Sequence, residues 1–300
     1  MKKVLILLFV LISLLTFADD PVVIASKIDT EGALIGNMIV LVLGENGIPV
    51  EDRTEFGTTS VIRSAIINGE IDLYPEYTGN GGFFFEGIDP EIWKNAQKGY
   101  EMVKKLDYEA NKIVWLTPAN ANNTWALAIR EDFAEKGEIF SLSDFAAYIN
   151  NGGYVKLAGS EEFITRPDSL PAFQKTYGFE LKANQLITFS GGNTAQTERA
   201  AALGIDGVNA AMAYGTDGAL AALGLIVLED DLEVQPVYEP TPIIREEVLN
   251  QYPEIANLLQ PVFESLSLED LQALNSKIAI EGQNAKKVAE TYLKENGFIE

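Results

Sequence analysis

The sequence predicts an α/β fold, arranged as two globular lobes or one large unit. Its 300 residues exceed what a single hydrophobic core usually covers. Its first seventy-odd residues alternate strand-like and helix-like apolar patterns with short connections, as in a mainly parallel sheet covered by helices. Farther on, two polar, turn-prone stretches interrupt the alternation, near 119–125 and 214–218, where the chain has places to cross between lobes.

The elements follow in order. Lys2 and Lys3, an apolar run over 4–15 and Thr16-Phe17-Ala18 read as a cleaved export leader over 1–18, too short for a membrane span. The mature chain is then expected to begin near Asp19 and to be periplasmic or otherwise extracytoplasmic. With no cysteine after the leader, it is not a lipoprotein. Residues 21–28 read as a buried strand ending in the polar pair Ser26-Lys27. Leu34, Ile35, Met38, Leu41 and Val42 fall at helical spacing over 31–47, with Gly47 as a stop. A second strand over 50–56 and a helix over 60–68 lead to GEIDLYPEYTGNGG. There Ile71 and Leu73 alternate with Asp72 and Tyr74 as a strand does. Pro75 and the glycines at 79, 81 and 82 predict the end of regular structure. Glu76, Tyr77, Thr78 and Asn80 are thereby expected on a loop at a strand's carboxyl end, where open α/β sheets place ligands.

Residues 90–112 read as one long helix or two, and 113–118 as a strand. The polar stretch 120–124 precedes a strand over 125–129, and a second lobe is expected to extend to about Tyr214. It holds helices over 143–150 (capped by Ser143), 170–177 and 198–203, with strands over 155–158 and 208–213. A strand in LIVLED follows, then VQPVYEPTPIIR, whose prolines suit an extended edge or a crossing segment. Helices over 245–251, 253–265, from Ser267 onward and over 286–296 close the chain. The expected division is 19–121 with 216–300 for one lobe and 122–215 for the other.

Composition excludes several chemistries. The chain has no cysteine and no histidine, so thiolate nucleophiles, imidazole zinc sites and Ser-His-Asp triads are absent. Its formal charge is −22, or −24 without the two leader lysines, which opposes nucleic acid as a partner. Paired carboxylates such as Asp72 with Glu76, or Glu161 with Glu162, are the residues a hydrolase would use. They lie in a chain that is acidic throughout, and no enzymatic role, metal or cofactor is expected.

ASK, EYTGN, NNTWALAI, FITRPDS and AYGTDGAL, in this order, resemble the substrate-binding proteins of ABC importers for glycine betaine, choline and carnitine. The variant forms EYTGNG, GGNTAQT and GVNAAMAYGTDG resemble the low-affinity betaine-binding branch. The resemblance implies a two-lobed, hinged Venus-flytrap fold, action as a monomer, a quaternary amine ligand and a membrane permease as partner. It also implies an aromatic box. Tyr77, Trp125 and Tyr214 would be walls, Arg166 would clamp a ligand carboxylate, and Lys27, Asn80 and Thr216 would assist. Arg166 has a second reading as an internal partner of Asp168, and Lys27 as a solvent-facing or capping residue. Relatives often carry a further tyrosine near residues 198–202, which here read ERAAA, so one wall is expected to be missing.

The physical logic is independent of the resemblance. A quaternary ammonium has no N–H to donate, so it is recognised by faces that are apolar yet electron-rich. Each desolvated aromatic face contributes about 0.5–2 kcal/mol, and an Arg–carboxylate bond about 1.5–3 kcal/mol. Three faces and one such bond support affinity around the micromolar range after association costs. A missing wall weakens that roughly ten-fold. An amino acid or polyamine binder of the same fold is the alternative, and it would need carboxylates around the amine.

Overall fold

The structure, a computed structural model, describes residues 20–300; the expected leader lies outside the described residues. Ten strands are described. They are β1 (Val22–Lys27), β2 (Val50–Gly57), β3 (Leu73–Tyr77), β4 (Ile113–Trp115), β5 (Trp125–Arg130), β6 (Leu157–Ser160), β7 (Leu186–Phe189), β8 (Ala210–Tyr214), β9 (Leu225–Val227) and β10 (Pro240–Arg245). They form two five-stranded sheets, of order β2-β1-β3-β10-β4 and β7-β6-β8-β5-β9.

Each sheet is covered on both faces. The almost wholly buried helix Thr30–Glu45, capped where Asp29 accepts from the Gly32 amide at 2.7 Å, lies between the first sheet and the C-terminal helices. Helices Thr59–Ile67 and Ala96–Asn111 close its other face around Trp93 and Trp115. In the second lobe, helices Leu142–Asn150 and Leu170–Tyr177 pack on one side and the alanine-rich Thr194–Leu203 on the other.

Four of the five strands in each sheet run parallel, as expected, and the fifth is reversed. β5 and β10, the first strands after the chain crosses between lobes, each enter antiparallel to both neighbours. Several elements differ from the expectation. β3 continues through Pro75 to Tyr77, so Glu76 and Tyr77 are strand residues and not loop residues. Pro75 stands opposite Pro242 of β10, where neither proline needs an N–H from the other. The same pairing makes the proline-rich 240–245 segment an interior strand instead of an edge. Thr78–Asn80 then forms a 3-10 turn and Gly81–Phe84 a short helix. Ser141, not Ser143, caps the helix Leu142–Asn150 through a capping box with Asp144.

β9 hydrogen-bonds to β5, so the second sheet keeps residues beyond the expected boundary at 215. The return crossing is therefore the segment after β9. It runs beside the outward crossing: Ala119 N donates to Pro240 O (2.8 Å), Asn123 N to Tyr238 O (2.9 Å) and Thr124 Oγ1 to Pro236 O (3.2 Å). The two crossings between the lobes are thus bonded to each other along their length. The 214–218 turn is a contact between lobes. Gln272 and Asn275 of helix Leu268–Ala279 donate to the Gly215 and Thr216 carbonyls.

Candidate functional site

The carboxyl ends of β1, β3 and β8 and the start of β5 face one another across the cleft. Among the residues lining the cavity between them are Lys27, Asp29, Tyr77, Asn80, Asn123, Trp125, Glu162, Arg166, Tyr214 and Tyr238. Six of the seven residues singled out in the sequence are thus brought together. Thr216 is the exception. It is fully buried behind the cavity, where its hydroxyl accepts from Asn123 Nδ2 at 2.7 Å.

Four rings converge. Trp125 and Tyr214 are cross-strand partners on β5 and β8, with ring centroids 4.8 Å apart, and Phe163 supports Trp125 from behind at 5.3 Å. Tyr77 comes from β3 in the first lobe. The fourth ring is Tyr238, on the return crossing. Its backbone amide is fixed by Asn122 Oδ1 at 2.8 Å. A Cβ on residue 79 would lie 2.7 Å from the Tyr238 ring, so Gly79 is needed for the ring's close approach. Burial raises the phenols of Tyr77, Tyr214 and Tyr238 well above their ordinary value, so all stay neutral.

The cations are committed to the protein itself. Lys27 Nζ is 2.6 Å from Glu76 Oε1 and 4.7 Å from the centroid of the Tyr77 ring, so the second reading of Lys27 as free in solvent does not hold. Asn80 bridges the lobes: its Nδ2 donates to Glu76 at 2.6 Å and its Oδ1 accepts from Arg166 Nη2 at 2.8 Å. Arg166 donates twice to Asp168 and once each to Glu162 and Asn80, with a longer shared bond from Nη2 to the Tyr238 hydroxyl at 3.4 Å, which together use four of its five N–H groups. Burial opposes its charge, but Tyr238, Asp168 and Glu162 outweigh that and hold it above its ordinary value. The guanidinium also lies 4.3 Å from the Phe83 ring and 5.9 Å from that of Trp125.

Two carboxylates lie on the cavity wall: Asp29, which was not singled out in the sequence, and Glu162, named there only as half of a hydrolase pair; Tyr238 was not singled out either. Burial raises Asp29, the cap of its helix. Under Tyr214 lies a second acidic pair. Asp217 accepts from the Tyr214 amide (2.6 Å) and the Thr194 hydroxyl (2.9 Å), while Glu198 Oε1 is buried with no N–H donor in reach. Burial pushes both acids up, Glu198 furthest, so Glu198 holds a proton for Asp217. Of the carboxylates named above for a hydrolase, Glu76 is paired with Lys27, Asp72 with Arg245 at 2.8 Å and Glu162 with Arg166 at 2.8 Å.

The sequence model of the substrate-binding domain of ABC-type glycine betaine transport systems matches residues 20–295. The chain belongs to this family. It is 57% identical over 287 residues to the glycine betaine-binding protein YehZ of Escherichia coli, covering 96% of this chain and 94% of that one. A glycine-betaine-binding protein of Pseudomonas aeruginosa is 34% identical, with 92% and 88% covered. The solved structure of apo YehZ superposes with a TM-score of 0.68 at 58% identity, covering 93% of this chain and 99% of that one. The two sheets flanked by helices are thus the two-lobed fold of periplasmic binding proteins, and the family is one of transporter binding proteins.

Proposed function

We propose that this chain captures a quaternary amine such as glycine betaine between its lobes and delivers it to the permease of an ABC importer. The observation that carries the reading is the convergence of Tyr77, Trp125, Tyr214 and Tyr238, from both lobes and the return crossing, on one cavity walled by Asp29 and Glu162. The rings favour a permanent cation, while Asp29 caps its helix and Glu162 is paired with Arg166, so the two carboxylates are already engaged within the protein. Closure on the ligand is supported by the Arg166–Asn80 bond across the cleft. It is also supported by the modest superposition with an apo relative of closely similar sequence, as expected where one lobe rotates against the other. No helix among the described residues is long and apolar enough to cross a membrane, which suits an exported binding protein.

Arg166 keeps one N–H for a ligand carboxylate, but Glu162 and Asp168 already offset its charge. The carboxylate of a zwitterion therefore adds little to binding. Calorimetric titration is expected to give glycine betaine an affinity around the micromolar range and choline, which lacks the carboxylate, one within about ten-fold of it. Nanomolar betaine affinity with no choline binding contradicts this reading of Arg166. No binding of either contradicts the function.

A further inference from the structure

Behind the box lies a carboxylate that the aromatic reading leaves unused. Glu31, in the first turn of helix Thr30–Glu45, is 4% exposed, and no Lys or Arg among the described residues forms an ion pair with it. Its Oε1 accepts from the Tyr77 hydroxyl (3.0 Å) and Asn123 Nδ2 (2.8 Å), and its Oε2 from Asn275 Nδ2 (2.8 Å). Asn123 and Asn275 extend the network to Thr216. Tyr77 and Asn123 both line the cavity, so the carboxylate sits one hydrogen bond behind it by two routes. The network joins the first lobe, the outward crossing, the 214–218 turn and helix Leu268–Ala279.

We infer that Glu31 is a positioning residue for the Tyr77 wall and that capture of a permanent cation is coupled to release of a proton from it. A carboxylate accepting from the phenol fixes the ring and pushes electron density onto the face that meets a cation. A protonated Glu31 loses one acceptor position and the charge. By reciprocity, a cation in the box favours the ionised form. The inference rests on the quaternary amine reading above.

The setting suits such coupling near neutral pH. Burial pushes Glu31 up to about 7, and the neighbouring Asp29 adds to the rise. The titratable groups facing it are Asp29 on the cap of its own helix and Tyr77 on β3. From the outward crossing, the 214–218 turn and helix Leu268–Ala279 it meets the uncharged Asn123, Thr216 and Asn275. Lys27 reaches Asp29 and Tyr77, and Asp217 follows Thr216 in the turn. The sign follows: the ligand-free protein binds more protons than the complex, so affinity rises with pH through about 7. It levels off above. A displacement of one unit on binding makes the change roughly ten-fold between about pH 5.5 and about pH 8.

The test is calorimetric titration with glycine betaine, which does not itself titrate in that window, in phosphate and in Tris buffer at about pH 7. Apparent enthalpies differing by the heat of roughly half a proton are expected. Glu31→Gln should remove the difference and flatten the affinity profile. Asn275→Ala, which removes a donor to the carboxylate, should move the wild-type midpoint upward. Equal enthalpies in the two buffers, full proton release retained by Glu31→Gln, or an unmoved midpoint in Asn275→Ala each overturn the inference. If Glu31→Gln does not fold, the wild-type buffer pair and Asn275→Ala decide. Betaine binding without proton release sinks this coupling alone. No binding at any pH sinks the functional reading, and the coupling with it.

Discussion

Trp125→Ala is expected to weaken capture of glycine betaine by roughly 100-fold. The indole supplies one desolvated face, worth about 1–2 kcal/mol against a cation. It also holds the neighbouring wall. Tyr214 is its cross-strand partner at a ring separation of 4.8 Å, and such a pair contributes about 0.5–1.5 kcal/mol beyond its area. Removing the indole thus loosens two walls, and every 1.4 kcal/mol is about ten-fold in affinity. Because Trp125 also packs on Phe163, the truncation destabilises the second lobe by about 3–5 kcal/mol. Trp125→Phe separates the effects: it keeps a ring and most of the packing, and about a five-fold loss is expected. Titration of both variants, each with a thermal melt to establish folding, checks the ordering. A folded Trp125→Ala that binds as tightly as the parent contradicts the box.

Lys27→Met is expected to lower the stability of the first lobe by about 3–5 kcal/mol. Methionine keeps the apolar stem but leaves the Glu76 carboxylate fully buried without its cation, which had stood at 2.6 Å. The Tyr74 hydroxyl, the Tyr77 amide and Asn80 Nδ2 still donate to Glu76, but none carries charge. The ammonium also lies over the Tyr77 ring, so its loss reaches the box. A thermal transition lower by ~10 °C is expected. Lys27→Met with Glu76→Gln should recover much of it, since a neutral amide tolerates burial where a lone carboxylate does not. An unchanged melt for the single variant would mean that the pair contributes no net stability.

Much of this fold was legible because its signals are local. The helix Leu170–Tyr177 was read to the residue, and the helix Thr30–Glu45 from the spacing of Leu34, Ile35, Met38, Leu41 and Val42. Misreadings arose where a distant partner overrides the local rule. Pro75 breaks a strand in isolation, yet β10 brings Pro242 opposite it from far along the chain. β7 and the helices Glu131–Gly137 and Glu161–Thr165 carry patterns too short to register above their surroundings.

The site divides the same way. Tyr77, Trp125 and Tyr214 stood in motifs beside turns. Tyr238 was visible in VQPVYEP, but only the pairing of the two crossings shows that this segment reaches the cavity. Lys27 and Arg166 were identified as cavity residues, while their commitment to Glu76, Glu162 and Asp168 depends on side-chain geometry that spacing does not encode. Thr216 shares the motif of Tyr214 but, two residues on, points its hydroxyl into the network around Asn123.

The central claim is that ring faces recognise a permanent positive charge rather than a shape. Glycine betaine and tert-butylacetate have the same outline and the same carboxylate, and differ in a quaternary nitrogen replaced by carbon. Titrated side by side, glycine betaine is expected to bind at least ~30-fold more tightly, from the cation–π contribution of several faces. Equal affinity for the two would contradict it.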